Sequence, residues 1–339
     1  MVRPVVSDVA GLEFTTEEWD LFREFKPFGF ILFKRNCDNP EQLKRLTDQM
    51  RDVTGDENIP ILIDQEGGRV ARLGPPNWRK YPSAAVYAEL YDQNKNDAIS
   101  AVSIHASLMA NDLLECGINV DCYPVLDILF DGADKVIGDR SFGRTTDKII
   151  ELSRAGAEAM MEMGVTPIIK HIPGHGRADV DSHLSLPIVD TDIDTLRETD
   201  FVPFKALNEM PCAMTAHVIY SDIDPDYCGT ISKKIISDVI RDEIGFKGVL
   251  CSDDLSMKAL NKSAAENAVD ALNAGCDIAL HCNGTLDERR DTLMATEELN
   301  DNEYQRLRTY FVKSENMKSF DANEQYAQLL DLTKGLFNV

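Results

Sequence analysis

Gly164-Val165-Thr166-Pro167-Ile168-Ile169-Lys170-His171 is a glycine, an apolar run, and then a lysine and a histidine. The apolar residues are near-continuous rather than alternating, the pattern of a parallel strand buried on both faces. Residues 147–163, just before it, have the spacing of an amphipathic helix, and Gly164 suits that helix's C-terminal cap. Just after it, Pro173, Gly174 and Gly176 forbid a helix. The HxxxH spacing of His171 and His175 therefore does not place the two rings on one helical face. The unit reads as helix, glycine turn, buried strand, polar strand end and long loop.

The same unit recurs along the chain. Near-continuous apolar runs fall at 4–8, 30–33, 61–64, 118–123, 165–171, 213–217, 249–253 and 278–281. Helical patterns fall near 15–26, 40–53, 95–116, 147–163, 194–209, 232–244, 260–274 and 323–336. Thr15-x-x-Glu18 has the form of a capping box, and Asn39-Pro40 that of an N-cap followed by proline in the first turn. Turns into the strands are short and marked by Gly117, Gly164, Gly245 and Gly275. Connections leaving the strands are long, at 65–82, 124–146, 172–193 and 218–231. Eight alternations with one elaborated face predict an α/β fold, a single (β/α)8 TIM-type barrel with its active site at the C-terminal ends of the strands. The expectation is one domain over 1–339, closed by a C-terminal helix at about 315–339.

Composition narrows the class of function. The chain has 339 residues, is 43% hydrophobic and carries a formal charge of −23. That acidity argues against nucleic acid and anionic membranes as partners and is otherwise a solubilising surface. No apolar run approaches the length of a membrane span, and the N-terminus lacks the pattern of a signal peptide. The eight cysteines are scattered without a CxxC pair, which suits buried, reduced thiols in a cytoplasmic protein and no structural zinc.

Polar residues gather where the apolar runs end. Asp64 ends the third; Asp121 and Asp127 flank the fourth; Lys170 and His171 end the fifth. His217 ends the sixth, Asp253 and Asp254 the seventh, His281 the eighth. Charge at buried strand ends is costly unless paired or functional, and in a barrel all these residues converge on one mouth. Asp253 on a rigid strand end suits a nucleophile; an Asp N-cap for the next helix is the structural alternative, a role open to Asp254. Asp181 and His183, two apart on an extended loop, can share a side, so that the carboxylate holds the imidazole's tautomer and favours its protonated form. That makes His183 a candidate general acid and base, against the alternative of a surface histidine. Arg140 offers a planar fork for substrate oxygens, or a salt bridge that ties down its loop.

Taken together, these stretches resemble family 3 glycoside hydrolases, in the branch of bacterial β-N-acetylglucosaminidases that recycle cell-wall fragments. The resemblance runs over nearly the whole chain. It rests on Leu32-Phe-Lys-Arg-Asn36, Asp64-Gln-Glu-Gly-Gly-Arg-Val70, Asn119-Val-Asp-Cys-Tyr-Pro-Val-Leu-Asp127 and Gly138-Asp-Arg-Ser-Phe142. It rests most specifically on residues 170–187 and on Ser252-Asp-Asp-Leu-Ser-Met257, and also on Ala216-His-Val-Ile-Tyr-Ser221. Ile172 stands where the family usually has Phe. The resemblance implies a retaining mechanism with Asp253 as nucleophile and His183, paired with Asp181, as general acid and base. It implies that Asp64, Arg140, Lys170 and His171 bind the N-acetylglucosamine unit; Arg72 and His217, at the same mouth, are expected to join them. His175 is left with a structural role. The second domain of many family 3 enzymes is expected to be absent.

The implied activity is exo-removal of terminal N-acetylglucosamine from muropeptide fragments carrying a 1,6-anhydromuramyl unit. No cofactor or metal is expected, and a monomer is expected. An acidic substrate needs a local positive site, for which Arg140, Lys170 and Arg177 are candidates. Alternatives are a β-N-acetylglucosaminidase that also uses phosphate as acceptor, substrate-assisted hydrolysis, a metal-dependent barrel hydrolase built on His171, His175, His183 and His217, and a sugar-binding barrel without catalysis.

Overall fold

The computed structural model describes residues 2–132, 136–178, 186–257, 260, 262–311 and 321–338. Eight parallel strands close into a barrel: β1 (Val2–Ser7), β2 (Lys26–Leu32), β3 (Ile61–Ile63), β4 (Val120–Asp121), β5 (Thr166–Ile172), β6 (Cys212–Thr215), β7 (Val249–Asp254) and β8 (Ile278–His281). Each pairs with its sequence neighbours, and β8 closes on β1 through Val5–Ala279 and Ser7–His281. All eight strands overlap the predicted apolar runs, with β2 starting at Lys26, four residues before its run. Among the described residues, no helix is long and apolar enough to cross a membrane.

Alternation along the strands creates two apolar layers. Val6, Ile31, Leu62, Val120, Ile168, Met214, Val249, Cys251 and Leu280 fill the barrel interior. Their neighbours, among them Val5, Ile63, Ile169, Ala213 and Leu250, face the surrounding helices. The inward row sets the site, because two residues beyond an inward core residue the chain again points inward. Leu62 thus leads to Asp64, Ile168 to Lys170, and Cys251 to Asp253. All eight cysteines are free and buried.

Two bulges modify that alternation at the mouth. In β7 the register runs Cys251–Ile278 and then Asp254–Leu280, one residue extra. The Ser252 hydroxyl accepts the Leu280 N–H at 2.8 Å across the irregularity. In β5 the register slips between Lys170 and Ile172 against β6, at His171. A bulge re-aims side chains where a strand ends, and both fall on the strand ends carrying the expected site residues.

The helices follow their caps. The Thr15 and Glu18 side chains satisfy each other's backbone N–H groups at 3.2 and 3.0 Å, and Asn39 caps the helix Pro40–Thr54 through the Gln42 N–H at 2.9 Å. The marker glycines Gly117, Gly164, Gly245 and Gly275 all have positive φ. Two helical stretches differ from expectation. The 194–209 stretch is two short helices, Ile193–Glu198 and Phe201–Ala206. Pro203 explains the break: its ring clashes with a helical carbonyl at Thr199, yet it is tolerated in the first turn of the second helix. The 232–244 stretch is wound as a π-helix over Ile235–Glu243. Helices Ala84–Gln93, Leu286–Ala295 and Asp301–Arg308 add to the expected set. The C-terminal helix, expected at about 315–339, is described over Ala322–Leu332, where Tyr326 donates to the Lys80 carbonyl at 2.8 Å.

The connection after β3 holds a small hairpin, Gln65–Gly67 against Val70–Ala71. Its turn needs left-handed backbone at Gly67 (φ 86°) and Gly68 (φ 58°). A Cβ on Gly67 would also lie 2.2 Å from the Pro82 carbonyl and 3.0 Å from the His105 ring. Gly67→Ala should therefore destabilise the protein by on the order of 2–3 kcal/mol, from backbone strain plus overpacking. Urea unfolding checks this, and an unchanged midpoint would show that the hairpin relaxes freely.

Candidate active site

The C-terminal ends of the strands open on a cavity of about 440 Å³. Phe33, Asp64, Arg72, Arg140, Lys170, His171, His175, Asp253 and Asp254 all line it. Its floor is the top of the inward row, through Ile31, Met214 and Leu280.

One half of the cavity is an ion network. Lys170 Nζ lies 2.8 Å from Asp64 Oδ1 and 2.7 Å from Glu66 Oε1, and the lysine side chain is 1% exposed. Arg72 holds the other Asp64 oxygen at 2.9 Å. Arg140 grips Glu66 with two parallel bonds, Nε to Oε2 and Nη2 to Oε1, each 2.8 Å. Burial alone would raise both carboxyls. Lys170 and Arg72 instead carry Asp64 well below the usual carboxylate range, and Arg140 and Lys170 carry Glu66 down to about 2. Burial would lower the Lys170 ammonium, but Asp64 and Glu66 override it and raise it. The structure shows the salt bridge that ties down the Arg140 loop, and Arg140 also lines the cavity.

His171 is fixed from behind. Its Nδ1 lies 2.7 Å from Asp127 Oδ2, and the other Asp127 oxygen accepts the backbone N–H of His175 at 2.7 Å. One fully buried carboxylate therefore orients a cavity imidazole and pins the Pro173–Gly176 turn. His175 lines the cavity beside it, the two rings 5.5 Å apart. Burial, then neighbouring His171, lowers the His175 imidazole to about 4, so it is neutral near pH 7.

The other half is the β7 end. Asp253 Oδ1 accepts the Asp254 N–H at 2.8 Å. Among the described residues, no lysine or arginine forms an ion pair with Asp253. Burial would raise its carboxyl, but His217 and then His171 hold it below the ordinary value. Asp254 is occupied differently, accepting from the Ser256 N–H at 2.9 Å and the Cys282 N–H at 3.2 Å. Asp254 thus serves the loop, while Asp253, among the described residues, keeps one oxygen free of bonds from other side chains toward the cavity.

Several predicted residues lie elsewhere. His217 is fully buried and does not line the cavity; Thr230 and the Asp254 carbonyl take its two ring nitrogens at 2.6 and 2.9 Å. His217 lies two residues past the end of the strand at Thr215, where the chain has left the ladder and the side chain turns in behind the β7 end. Asp121 is buried beneath the network, its Oδ1 accepting the Gln65 N–H at 3.0 Å. His281 is buried near Asp8, at 3.8 Å. Arg177 is held by Asp200 at 2.7 Å and lies over the Phe130 ring, away from the cavity lining. Asp181 and His183 lie outside the described residues, on the connection between Ala178 and Leu186. The sequence places Asp127 at the mouth without a role, and gives Glu66 none. Glu66 did carry a signal: it stands two residues past Asp64.

The model of the glycosyl hydrolase family 3 N-terminal domain matches residues 11–309. The beta-hexosaminidase of Alkalilimnicola ehrlichii is 38% identical over 289 residues, covering 84% of this chain and 81% of that protein. The beta-hexosaminidase of Neisseria gonorrhoeae is 36% identical over 295 residues, covering 85% and 81%. The crystal structure of NagZ from Neisseria gonorrhoeae in complex with N-trifluoroacetyl-D-glucosamine superposes with a TM-score of 0.87 at 32% identity, covering 98% of each chain. The closed barrel, its polar mouth and these matches agree, and the chain belongs to glycosyl hydrolase family 3.

Proposed function

We propose that this glycosyl hydrolase is a retaining exo-β-N-acetylglucosaminidase, acting as a single-domain enzyme on muropeptide fragments with a 1,6-anhydromuramyl leaving group. The observation that carries the reading is the division of the cavity. One wall, built by Asp64, Glu66, Arg72, Arg140, Lys170 and His171, presents fixed polar atoms suited to the hydroxyl and acetamido groups of a sugar. The facing strand end presents Asp253, an ionised carboxylate that no lysine or arginine among the described residues pairs with. The beta-hexosaminidase relatives support the same substrate class.

In this mechanism Asp253 attacks the anomeric carbon and the glycosidic oxygen leaves with a proton, forming a glycosyl-aspartate. Water, deprotonated by the same acid–base group, then releases N-acetylglucosamine. That group is His183, with Asp181 holding its tautomer. A histidine from the 172–187 connection fits the cavity's own chemistry. The carboxylates lining the described cavity are Asp64, Asp253 and Asp254. Asp64 is held ionised by two cations; burial raises the Asp254 carboxyl, but its oxygens are committed to Ser256 and Cys282 of the β7 loop. Arg69, Arg72, Arg140 and Lys170 line the cavity, but Glu66 pairs with Arg140 and Lys170 and Asp139 with Arg69, so the anionic leaving group rests on the sequence resemblance and not on a net positive mouth.

Asp253→Asn should reduce turnover of an aryl β-N-acetylglucosaminide by on the order of 1,000-fold or more while N-acetylglucosamine still binds. A fluorinated N-acetylglucosaminyl donor should label Asp253 in the intact enzyme, and labelling elsewhere with Asp253→Asn still active would overturn the assignment. His183→Ala should slow substrates with poor leaving groups far more than activated aryl ones; equal loss on both would remove His183 from the acid role. The network predicts a pH effect. The folded-state pKa values of Asp64 and Glu66 are depressed from the ordinary 3.8 and 4.5, so their contribution is present above those values and lost as pH falls toward about 2. The thermal midpoint should change little between about pH 7 and pH 5 and fall below about pH 4.5. Glu66→Gln should flatten part of that fall, and identical acid profiles for the two proteins would contradict the network's role.

A further inference from the structure

Behind the β7 end a chain of hydrogen bonds starts and finishes on the backbone of the Asp253–Asp254 pair. The Asp253 N–H donates to Thr215 Oγ1 at 3.3 Å. Thr215 Oγ1 and Thr230 Oγ1 are 2.8 Å apart, and Thr230 Oγ1 lies 2.6 Å from His217 Nδ1. His217 Nε2 lies 2.9 Å from the Asp254 carbonyl oxygen. A carbonyl carries no proton, so Nε2–H is the donor and the ring's orientation is fixed. Thr215, His217 and Thr230 are all 0% exposed, so solvent cannot replace any of these bonds. The Thr230 hydroxyl also reaches the Ala216 carbonyl at 3.3 Å, an alternative destination for its proton when His217 carries a proton on each nitrogen.

We propose that Thr215, Thr230 and His217 are positioning residues that clamp the backbone on both sides of Asp253 and thereby aim its carboxylate at the anomeric carbon. The proposal deepens the reading above and rests on Asp253 being the nucleophile. Three features lead to it. The clamp closes on the bulged stretch of β7, where the ladder to β8 is interrupted and the strand's own hydrogen bonds hold the chain less well. None of the three side chains lines the cavity, so none is needed to grip the sugar. The imidazole also stabilises the ionised form of Asp253, and Asp253 reciprocates. Burial would lower His217, but the Cys228 side chain and the Asp253 carboxylate raise it to about 9. A nucleophile held by hydrogen-bonded backbone and a buried imidazole keeps its direction without losing its charge to an arginine or lysine.

The test uses the full chain and an aryl β-N-acetylglucosaminide. Thr230→Val removes the hydroxyl at nearly constant shape, and Thr215→Val cuts the clamp at its other end. Each should lower kcat and the rate of labelling by a fluorinated donor by on the order of 10- to 100-fold, the scale of a small misplacement of a reacting group. N-acetylglucosamine affinity should stay within about twofold, because the ion network is untouched, and Thr230→Ser should restore kcat to within about threefold. A kcat within about twofold of wild type in both valine variants would overturn the clamp, as would parallel loss of kcat and sugar affinity without rescue by serine. Should one valine variant not fold, the other and the serine variant carry the test. An active Asp253→Asn would instead overturn the nucleophile assignment. An inactive Asp253→Asn beside normal valine variants would overturn the clamp alone.

Discussion

A lysine with almost no exposure sits at the centre of the mouth, and its charge is tolerable only because two carboxylates touch it. Removing an ammonium from water costs several kcal/mol even after relaxation. At 2.7–2.8 Å each neighbour returns about 6 kcal/mol at an effective dielectric near 20. The carboxylates carry their own desolvation costs, which Arg72 and Arg140 offset. Three cations and two carboxylates form one unit from β3, β5 and the two loops after β3 and β4. No pair in it can be removed without stranding a buried charge, so the architecture of the mouth depends on the whole set.

That dependence explains how the surrounding chain is built. Glu66 must stand beside Lys170, so the chain after β3 turns back at once, through a hairpin whose glycines pack against Pro82 and His105. The Gly68 N–H donates to the Tyr81 carbonyl at 3.0 Å, and Tyr81 is anchored to Asp112 at 2.6 Å. Tyr81 and Tyr87 stack on the His105 ring, at 5.0 and 5.3 Å. Burial drives the His105 imidazole down to about 3, so this aromatic stack adds no charge beneath the network.

Much of this was legible in the chain. Near-continuous apolar runs read as parallel strands because both faces of each strand are buried, and the marker glycines read as helix ends because their positive φ has few alternatives. The convergence of Asp64, Lys170, His171 and Asp253 followed from strand ends alone. What escaped has a common cause: it depends on partners far away in sequence. Glu66 meets Arg140 across 74 residues and Asp127 meets His171 across 44, and neither pairing leaves a local pattern. The π-winding of Ile235–Glu243 has no counterpart in hydrophobic periodicity. His217 is different: the strand stops at Thr215, so alternation no longer fixes where the side chain two residues on points.

The two halves of the cavity solve opposite electrostatic problems. Asp64 must stay ionised and immobile, and contact with Lys170 and Arg72 achieves both at the cost of its basicity. A carboxylate held that way would be a poor nucleophile, since its electron pairs are already committed to fixed cations. Asp253 must be ionised and directed, yet still able to form a bond. Backbone N–H donation to one oxygen and imidazoles at longer range lower its pKa, in place of the direct ion pairs that lower that of Asp64. The same side-chain type therefore serves as a sugar anchor on β3 and as a reactive group on β7. The difference is set by which residues the barrel places behind each strand end: guanidinium and ammonium groups at one, hydroxyls and an imidazole at the other.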